Sequence, residues 1–248
     1  GPDPATDPPP GPDLPPELQA RVTLGLHHEQ QHQELILTDI LHLLAHNPLQ
    51  PAYRRPGPSD LSSATARTAG DLWHEHPGGV VVLGADDTTD AFTFDNESPR
   101  HRALLRPFAL ATRPVSNGEY LTFIADDGYG RPELWLSDGW DALQRGRWTA
   151  PMYWSADHRT RFTLRGAVPI DPAAPVCHVS YYEADAYARW AEARLPSESE
   201  WEAVAATRPI TGNFAESGRL DPAPQLTASL FGDVWTWTAS PYVAYPGF

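Results

Sequence analysis

Residues 175–202 read PVCHVSYYEADAYARWAEARLPSESEWE. Within this stretch, SYYE at 180–183 and SESE at 197–200 have the spacing of capping boxes, in which the serine side chain and the glutamate side chain each accept a backbone N–H of the other residue. A third box, SNGE, lies at 116–119. The sequence therefore predicts short helices within a region divided by glycine and proline, and an α+β fold rich in loops.

Composition divides the chain into four parts. Residues 1–16 hold eight of the 27 prolines and are predicted to form a linker or loop. Residues 17–50 carry a helical pattern, whereas residues 51–70, rich in proline, serine, alanine and arginine, predict an interdomain linker. Residues 71–248 form the remaining domain. Its short apolar runs, which predict strands, lie at 79–84, 103–105 and 162–164.

A single long helix is predicted from residue 17 to residue 46. This stretch lacks proline and contains only Gly25 as a glycine, and Asn47-Pro48 ends it. Its apolar residues cover most of the helix circumference, so we expect it to be surrounded by other protein. No residues upstream in this chain could supply partner helices, and we expect an incomplete helical bundle.

The helix contains the densest chemical signal, HHEQQHQE at 27–34. His28 and His32 are separated by about 40° and one turn, so both imidazoles could reach one metal ion. Gln31 lies about 60° to the other side of His28, close enough to contact a molecule bound there. A polar stripe on a largely apolar helix is costly unless it is used, and a metal-binding pair is therefore favoured over a solvated patch.

The same residues also satisfy the H-E-x-x-H pattern of zinc peptidases, with Glu29 as the general base. Leu35 stands where a metzincin has glycine, and no clear third ligand follows in a second helix. A zinc peptidase is therefore a lesser alternative. His42 and His46 repeat the four-residue spacing, but His42 lies about 21 Å beyond His28, and this second pair is expected to be structural.

Charge and cysteine content exclude several classes of protein. With 18 basic and 32 acidic residues the net charge is −14, which excludes a general phosphate-backbone binder. No apolar run approaches the roughly 20 residues that span a bilayer. Cys177 is the only cysteine, so no intrachain disulfide forms, and its strand-like surroundings predict a buried, inert thiol. We expect a cytoplasmic protein with no nucleic-acid or membrane partner.

The C-terminal domain resembles the formylglycine-generating-enzyme-like, or sulfatase-modifying-factor, domains. The resemblance is carried by 175–190 and 193–202, by FGDVWTWT at 231–238, which is similar to G-N-V-W-E-W, and by RPVSNGEY at 113–120. It implies a loop-rich topology of the C-type-lectin kind. Four tryptophans of these motifs are expected in the core rather than on a binding surface: Trp190, Trp201, Trp235 and Trp237.

Together with the histidine helix, this domain resembles EgtB-type hercynine oxygenases, the iron(II)-dependent sulfoxide synthases of ergothioneine biosynthesis. GLHHEQQHQEL at 25–35, DNESPRH at 95–101 and YPGF at 245–248 carry the match. The resemblance implies one helix of a DinB-like four-helix bundle, with His28 and His32 as iron ligands and Gln31 as a contact to hercynine. The implied reaction uses O2 to join the thiol of γ-glutamylcysteine, or of cysteine, to hercynine as a sulfoxide.

Two departures from this family affect the expected site. No histidine precedes His27, although the family has a third iron ligand on an earlier helix. Family chains also continue past the YPGF segment, into a part that supplies an active-site tyrosine. We therefore expect a chain truncated at both ends with an incomplete active site and no assignable catalytic residue. An inactive scaffold with weak two-histidine metal binding is the alternative.

Overall fold

The computed structural model describes residues 15–55, 72–86, 92–224 and 229–248. The predicted loop at 1–16 lies almost wholly outside these residues, as does most of the predicted linker at 51–70. Five helices are present among them: α1 (Pro16–Ala45), α2 (Asn117–Ala125), α3 (Ser137–Gly146), α4 (Tyr181–Trp190) and α5 (Glu198–Ala205). α1 covers the stretch predicted to be helical at 17–46 except its last residue, and Pro16, predicted to be loop, occupies its first position.

Six short strands of the described residues form three separate antiparallel pairs. They are β1 (Trp73–His76), β2 (Gly79–Leu83), β3 (His101–Leu105), β4 (Phe108–Ala111), β5 (Thr160–Thr163) and β6 (Gly166–Pro169). β1 pairs with β4, β2 with β3, and β5 with β6. Helices combined with small sheets confirm the α+β class, while the DinB-like bundle remains a prediction.

All three predicted capping boxes are formed. At the start of α2, the Ser116 N–H donates to Glu119 Oε2 at 2.8 Å, and the Glu119 N–H donates to Ser116 Oγ at 3.3 Å. The same reciprocal bonds begin α4 and α5. These bonds satisfy helical N–H groups that have no partner within the helix, which explains why such short helices have defined start points.

The main core lies between α2, α3 and α4 and is dominated by aromatic rings. Phe123 is fully buried, and Tyr120 stacks on Tyr187 with ring centroids 5.4 Å apart. Gly128 permits this packing, because a Cβ at that position would lie 2.1 Å from the Phe123 ring. The buried Tyr129 hydroxyl donates to Glu183 Oε1 at 2.6 Å, so the buried carboxyl group of α4 has a partner.

The expected burial of the four motif tryptophans is only partly correct. Trp190 packs against the main core and Trp201 contacts Phe231, but Trp237 is about half exposed and Trp235 is 86% exposed. The prediction was wrong for Trp235 and for Trp237. Their segment does not form a strand that would direct both indoles into one packed face, so alternation along the sequence does not bury them.

Cys177 lies in the loop between β6 and α4 rather than in the predicted strand. It is half-buried, and the Arg161 Nη1 atom lies 3.8 Å from its Sγ. Burial raises the pKa of the thiol to about 11, so little thiolate is present at neutral pH. This environment agrees with the predicted inert thiol.

The Arg113–Glu119 pair predicts a loss of stability in acid. Partial burial disfavours the charged carboxylate, but hydrogen bonds from Arg113 and Ser116 outweigh that cost and lower the Glu119 pKa to about 2. Because the pKa is lower in the folded than in the unfolded chain, stabilisation is complete above about pH 4.3 and is lost as the pH falls toward 2.

Denaturant unfolding between about pH 5 and about pH 2 tests this linkage. We expect the wild type to lose more unfolding free energy over that range than E119Q, in which the titrating group is absent. Equal pH dependence of the two proteins would contradict the assignment of Glu119.

Candidate functional site

The candidate site is centred on the two histidines of α1 named above. The Nε2 atoms of His28 and His32 are 2.9 Å apart, and both side chains are exposed. Two nitrogens bound to one metal ion at about 2.1 Å and at right angles would be about 3.0 Å apart. The pair therefore has the spacing of two neighbouring metal ligands, and it equally fits a hydrogen bond between one protonated and one unprotonated imidazole nitrogen.

A third ligand does not accompany this pair within the part of the chain that the structure describes. Across 15–55, 72–86, 92–224 and 229–248, no three histidine, cysteine, aspartate or glutamate side chains are grouped to hold a metal ion. The described residues therefore supply two ligands of a metal site and not a set of three.

The helix meets the domain along a narrow line of residues, which we call the contact stripe: His27, Glu34 and Leu41. These residues are seven apart and so lie on nearly the same face of α1, with a drift of about 20° per step. His27 stacks on Phe92 with ring centroids 4.0 Å apart. The Trp235 Nε1–H donates to Glu34 Oε1 at 2.5 Å.

The C-terminal end of the contact stripe is apolar. Leu41 is 7% exposed and forms a small core with Phe162 and Leu164 of the β5–β6 hairpin. Leu37, Ile40 and Leu44 pack around this core. Most of the stabilisation of α1 on the domain therefore comes from this end, because the free energy gained on burial scales with the apolar area removed from water.

The second histidine pair has a structural role, as predicted. His42 Nδ1 lies 3.0 Å from the Tyr153 hydroxyl, and His46 Nδ1 lies 2.9 Å from the His42 carbonyl oxygen at the end of α1. Burial raises the pKa of Tyr153, so its phenol is protonated at neutral pH and can donate to His42. These contacts attach the end of the helix to the domain.

Helical geometry relates the histidine pair to the contact stripe. His28 is about 100° from His27 around the axis, so the pair is not directed at the domain. Gln31 is about 60° from His28 on the side of Glu34 and therefore lies between the imidazoles and the Trp235 contact. A molecule bound at the histidine pair beside Gln31 would thus have both the Trp235 contact and the Phe92 contact of α1 as neighbouring parts of the domain.

Exposed apolar side chains lie around α1 on faces turned away from the contact stripe, among the described residues. They are Leu24 and Leu35 on the side of His28, and Ile36 and Leu43 opposite the domain, each about half exposed or more. The expectation that other protein surrounds the helix is met by the described residues on one side only. The histidine pair therefore borders an apolar surface as well as the domain.

A cavity of about 260 Å³ lies at the other end of α1, between His46, Tyr153, Trp154 and Phe162. His46 is about 27 Å along the helix from His28, so this cavity is separate from the histidine pair.

Three partners of the helix were not predicted as functional residues: Phe92, Tyr153 and Trp235. Phe92 and Tyr153 carry no motif, and only the proximity of α1 shows their role. Trp235 lies in the recognised VWTW segment, but the alternation of its tryptophans indicated a core position instead. Each of them contacts a residue of α1 that is 65 to 201 positions away in the sequence. Local sequence patterns do not encode contacts over such separations.

Comparison with known proteins assigns this chain to one family. The profile of the sulfatase-modifying factor enzyme 1-like domain matches residues 66–247. A hercynine oxygenase of Mycolicibacterium smegmatis is 36% identical over 92% of this chain and 58% of its own length, and one of Mycobacterium tuberculosis is 38% identical over 90% and 57%. A formylglycine-generating enzyme of Streptomyces coelicolor is 31% identical over 71% of this chain and 58% of its own length.

The chain spans a little over half the length of these curated relatives. Within the residues that the structure describes, no helix combines the length and the hydropathy that crossing a bilayer requires.

The docking of α1 predicts that two neighbouring leucines have different energetic roles. We expect L41A to lower the free energy of unfolding by about 2–5 kcal/mol, because it leaves a cavity against Phe162 and Leu164. L43A, at a position 69% exposed, should change it by less than about 0.5 kcal/mol. Denaturant unfolding measures both changes, and hydrogen exchange of α1 amides should increase in L41A alone. A loss in L43A as large as that in L41A would show that the wrong helix face has been assigned to the domain.

Proposed function

Because this chain belongs to the sulfatase-modifying factor enzyme 1-like family and is 36% and 38% identical to two hercynine oxygenases over about nine-tenths of its length, we propose that it acts as a hercynine oxygenase in ergothioneine biosynthesis. The proposed reaction joins the thiol sulfur of γ-glutamylcysteine or cysteine to C2 of the hercynine imidazole. One O2 is consumed: the new C–S bond and the sulfoxide oxygen account for its four electrons, and the thiol proton and the C2 proton leave in water. The 2.9 Å separation of the His28 and His32 Nε2 atoms is the observation that carries the proposal.

The two imidazoles fit part of an iron(II) site. Neutral nitrogen donors suit iron(II), and their spacing agrees with neighbouring positions of one coordination sphere. Bound iron(II) would supply the redox chemistry that O2 requires and open positions for thiol, imidazole and O2. His28 and His32 would hold the metal, and no further ligand is grouped with them among the described residues.

Gln31 is proposed to bind hercynine. Its amide offers both donor and acceptor groups and is exposed on the side of the helix between the histidines and the Trp235 contact. A side chain there could orient the substrate so that the reacting carbon is near the thiol, which is how an enzyme lowers the entropic cost of joining two molecules.

Two other functions compete with this proposal. A scaffold that binds metal weakly and does not turn over is favoured by the absence of a three-residue ligand group among the described residues. A zinc peptidase would use Glu29, which is exposed one residue after His28. The three functions differ in metal affinity, in product and in the residue they require.

Anaerobic iron(II) titration followed by turnover tests the metal assignment. We expect H28A and H32A each to weaken iron(II) binding at least tenfold and to abolish product formation from hercynine, thiol and O2, because each removes a ligand. H46A, which removes a histidine from the distant pair, is the control for metal affinity. Unchanged iron uptake in an H28A/H32A double variant would overturn the assignment, metal binding without product would support the scaffold, and peptide cleavage that requires Glu29 would support the peptidase.

Substitution of Gln31 separates substrate binding from metal binding. A hydrogen bond to a charged substrate is worth about 1.5–3 kcal/mol, so Q31L should raise the KM for hercynine by roughly tenfold or more. Iron(II) affinity should remain within about twofold of wild type, since Gln31 is not a proposed ligand. Steady-state kinetics with hercynine varied at saturating thiol measures this effect. A KM equal to that of wild type would remove Gln31 from the substrate site.

A further inference from the structure

We propose that Glu34 and Trp235 form a positioning pair, whose hydrogen bond sets the rotation of α1 on the domain and thereby the placement of Gln31 at the substrate site. The role of Gln31 rests on the proposed function, whereas the hydrogen bond can be tested without it. Neither residue belongs to the candidate metal pair.

The bond is the main attachment of the Trp235 side chain. Its indole is 86% exposed, so packing on the domain does not explain its orientation. Its Nε1–H donates to the Glu34 carboxylate at 2.5 Å, across 201 residues of sequence. A hydrogen bond to a charged acceptor is about twice as strong as one between neutral groups. An exposed tryptophan with this contact is therefore directed toward the helix.

The backbone that carries Trp235 is fixed on both sides. Downstream, the Trp237 Nε1–H donates to the Val179 carbonyl at 3.0 Å, and the Ala239 N–H donates to the Pro196 carbonyl at 2.8 Å. Upstream, Asp233 Oδ1 accepts from Asn213 Nδ2 at 3.0 Å and from the Ala223 N–H at 2.9 Å. Trp235 thus extends from a segment that is attached to the domain before and after it.

Glu34 is the member of the contact stripe that makes a side-chain hydrogen bond to the domain, and it lies three residues from Gln31. His27 and Leu41 lie about 10 Å along the axis on either side of it and make ring and apolar contacts. Residues three apart are neighbours on a helix surface, so the position of Glu34 constrains Gln31 directly. Apolar packing at Leu41 resists separation of the helix but is weakly directional, so rotation near Gln31 is limited by the Glu34 hydrogen bond together with the His27–Phe92 stack.

The size of the effect follows from helix geometry. The tip of a side chain lies about 5–6 Å from the helix axis, so a rotation of about 20° moves the Gln31 amide by about 2 Å. A misplacement of about 1 Å can reduce the rate of an oriented reaction by roughly a hundredfold. A single bond that limits rotation can therefore affect turnover even though it contributes little to overall stability.

A double-mutant cycle with W235F and E34L tests the pair in the full chain. The W235F variant lacks the N–H donor, and the E34L variant lacks the acceptor. We expect each variant to reduce kcat/KM for hercynine at least tenfold while iron(II) affinity and the thermal midpoint stay near wild type. The double variant should be no worse than either single variant, because both remove the same bond.

Two further variants separate positioning from general disruption. In E34Q the amide oxygen still accepts the indole N–H, so this variant should retain more activity than E34L. W73F changes an exposed tryptophan of β1 and serves as the matched control for loss of an indole. Additive losses in the double variant, equal losses in E34Q and E34L, or a parallel loss of iron affinity would each overturn the positioning role.

Hydrogen exchange distinguishes failure of this inference from failure of the proposed function. We expect faster exchange of the amides near residues 30–38 in W235F and in E34L, but not in W73F, whether or not the protein turns over hercynine. If wild type forms no product yet these amides respond, the pair positions the helix and the proposed function is wrong. If the amides do not respond, the positioning pair is refuted.

Discussion

The packing of Leu41 against Phe162 and Leu164 is the interaction on which the candidate site depends. It attaches a 30-residue helix, otherwise largely exposed among the described residues, to the β5–β6 hairpin. A single helix has little stability of its own in water, because most helical stability in proteins comes from tertiary packing. The location of His28 and His32 relative to the domain is therefore set about 14 to 20 Å away, at the other end of the helix.

Apolar packing and polar contacts contribute differently along the contact stripe. The apolar contacts of Leu41 supply affinity without strict direction, whereas the Glu34–Trp235 hydrogen bond restricts orientation. This division suits the proposed site, which lies on the helix beside the domain. The proposed metal ligands, four residues apart, keep their spacing wherever the helix lies, whereas the proposed substrate contact of Gln31 requires one rotation of the helix.

Local sequence signals were reliable where the structure is decided by neighbouring residues. The boxes at Ser116, Ser180 and Ser197 predicted the starts of α2, α4 and α5, because a capping box is complete within four residues. The predicted strand at 79–84 is present as β2, although its hydrogen bonds are completed by β3 rather than by neighbouring residues. The convergence of His28 and His32 was also predictable, since helical periodicity alone brings residues four apart onto one face.

Sequence alone determined the long helix, the capped short helices, the histidine pair and the family of the C-terminal domain. Tertiary structure decided which face of α1 meets the domain and which aromatic residues contact it. The misplacement of Trp235 shows the reason: its neighbours in sequence suggested a core position, but its hydrogen-bond partner lies 201 residues away. Contacts between distant segments depend on how complete elements dock, and that docking is set by shape and apolar area summed over many residues rather than by any short motif.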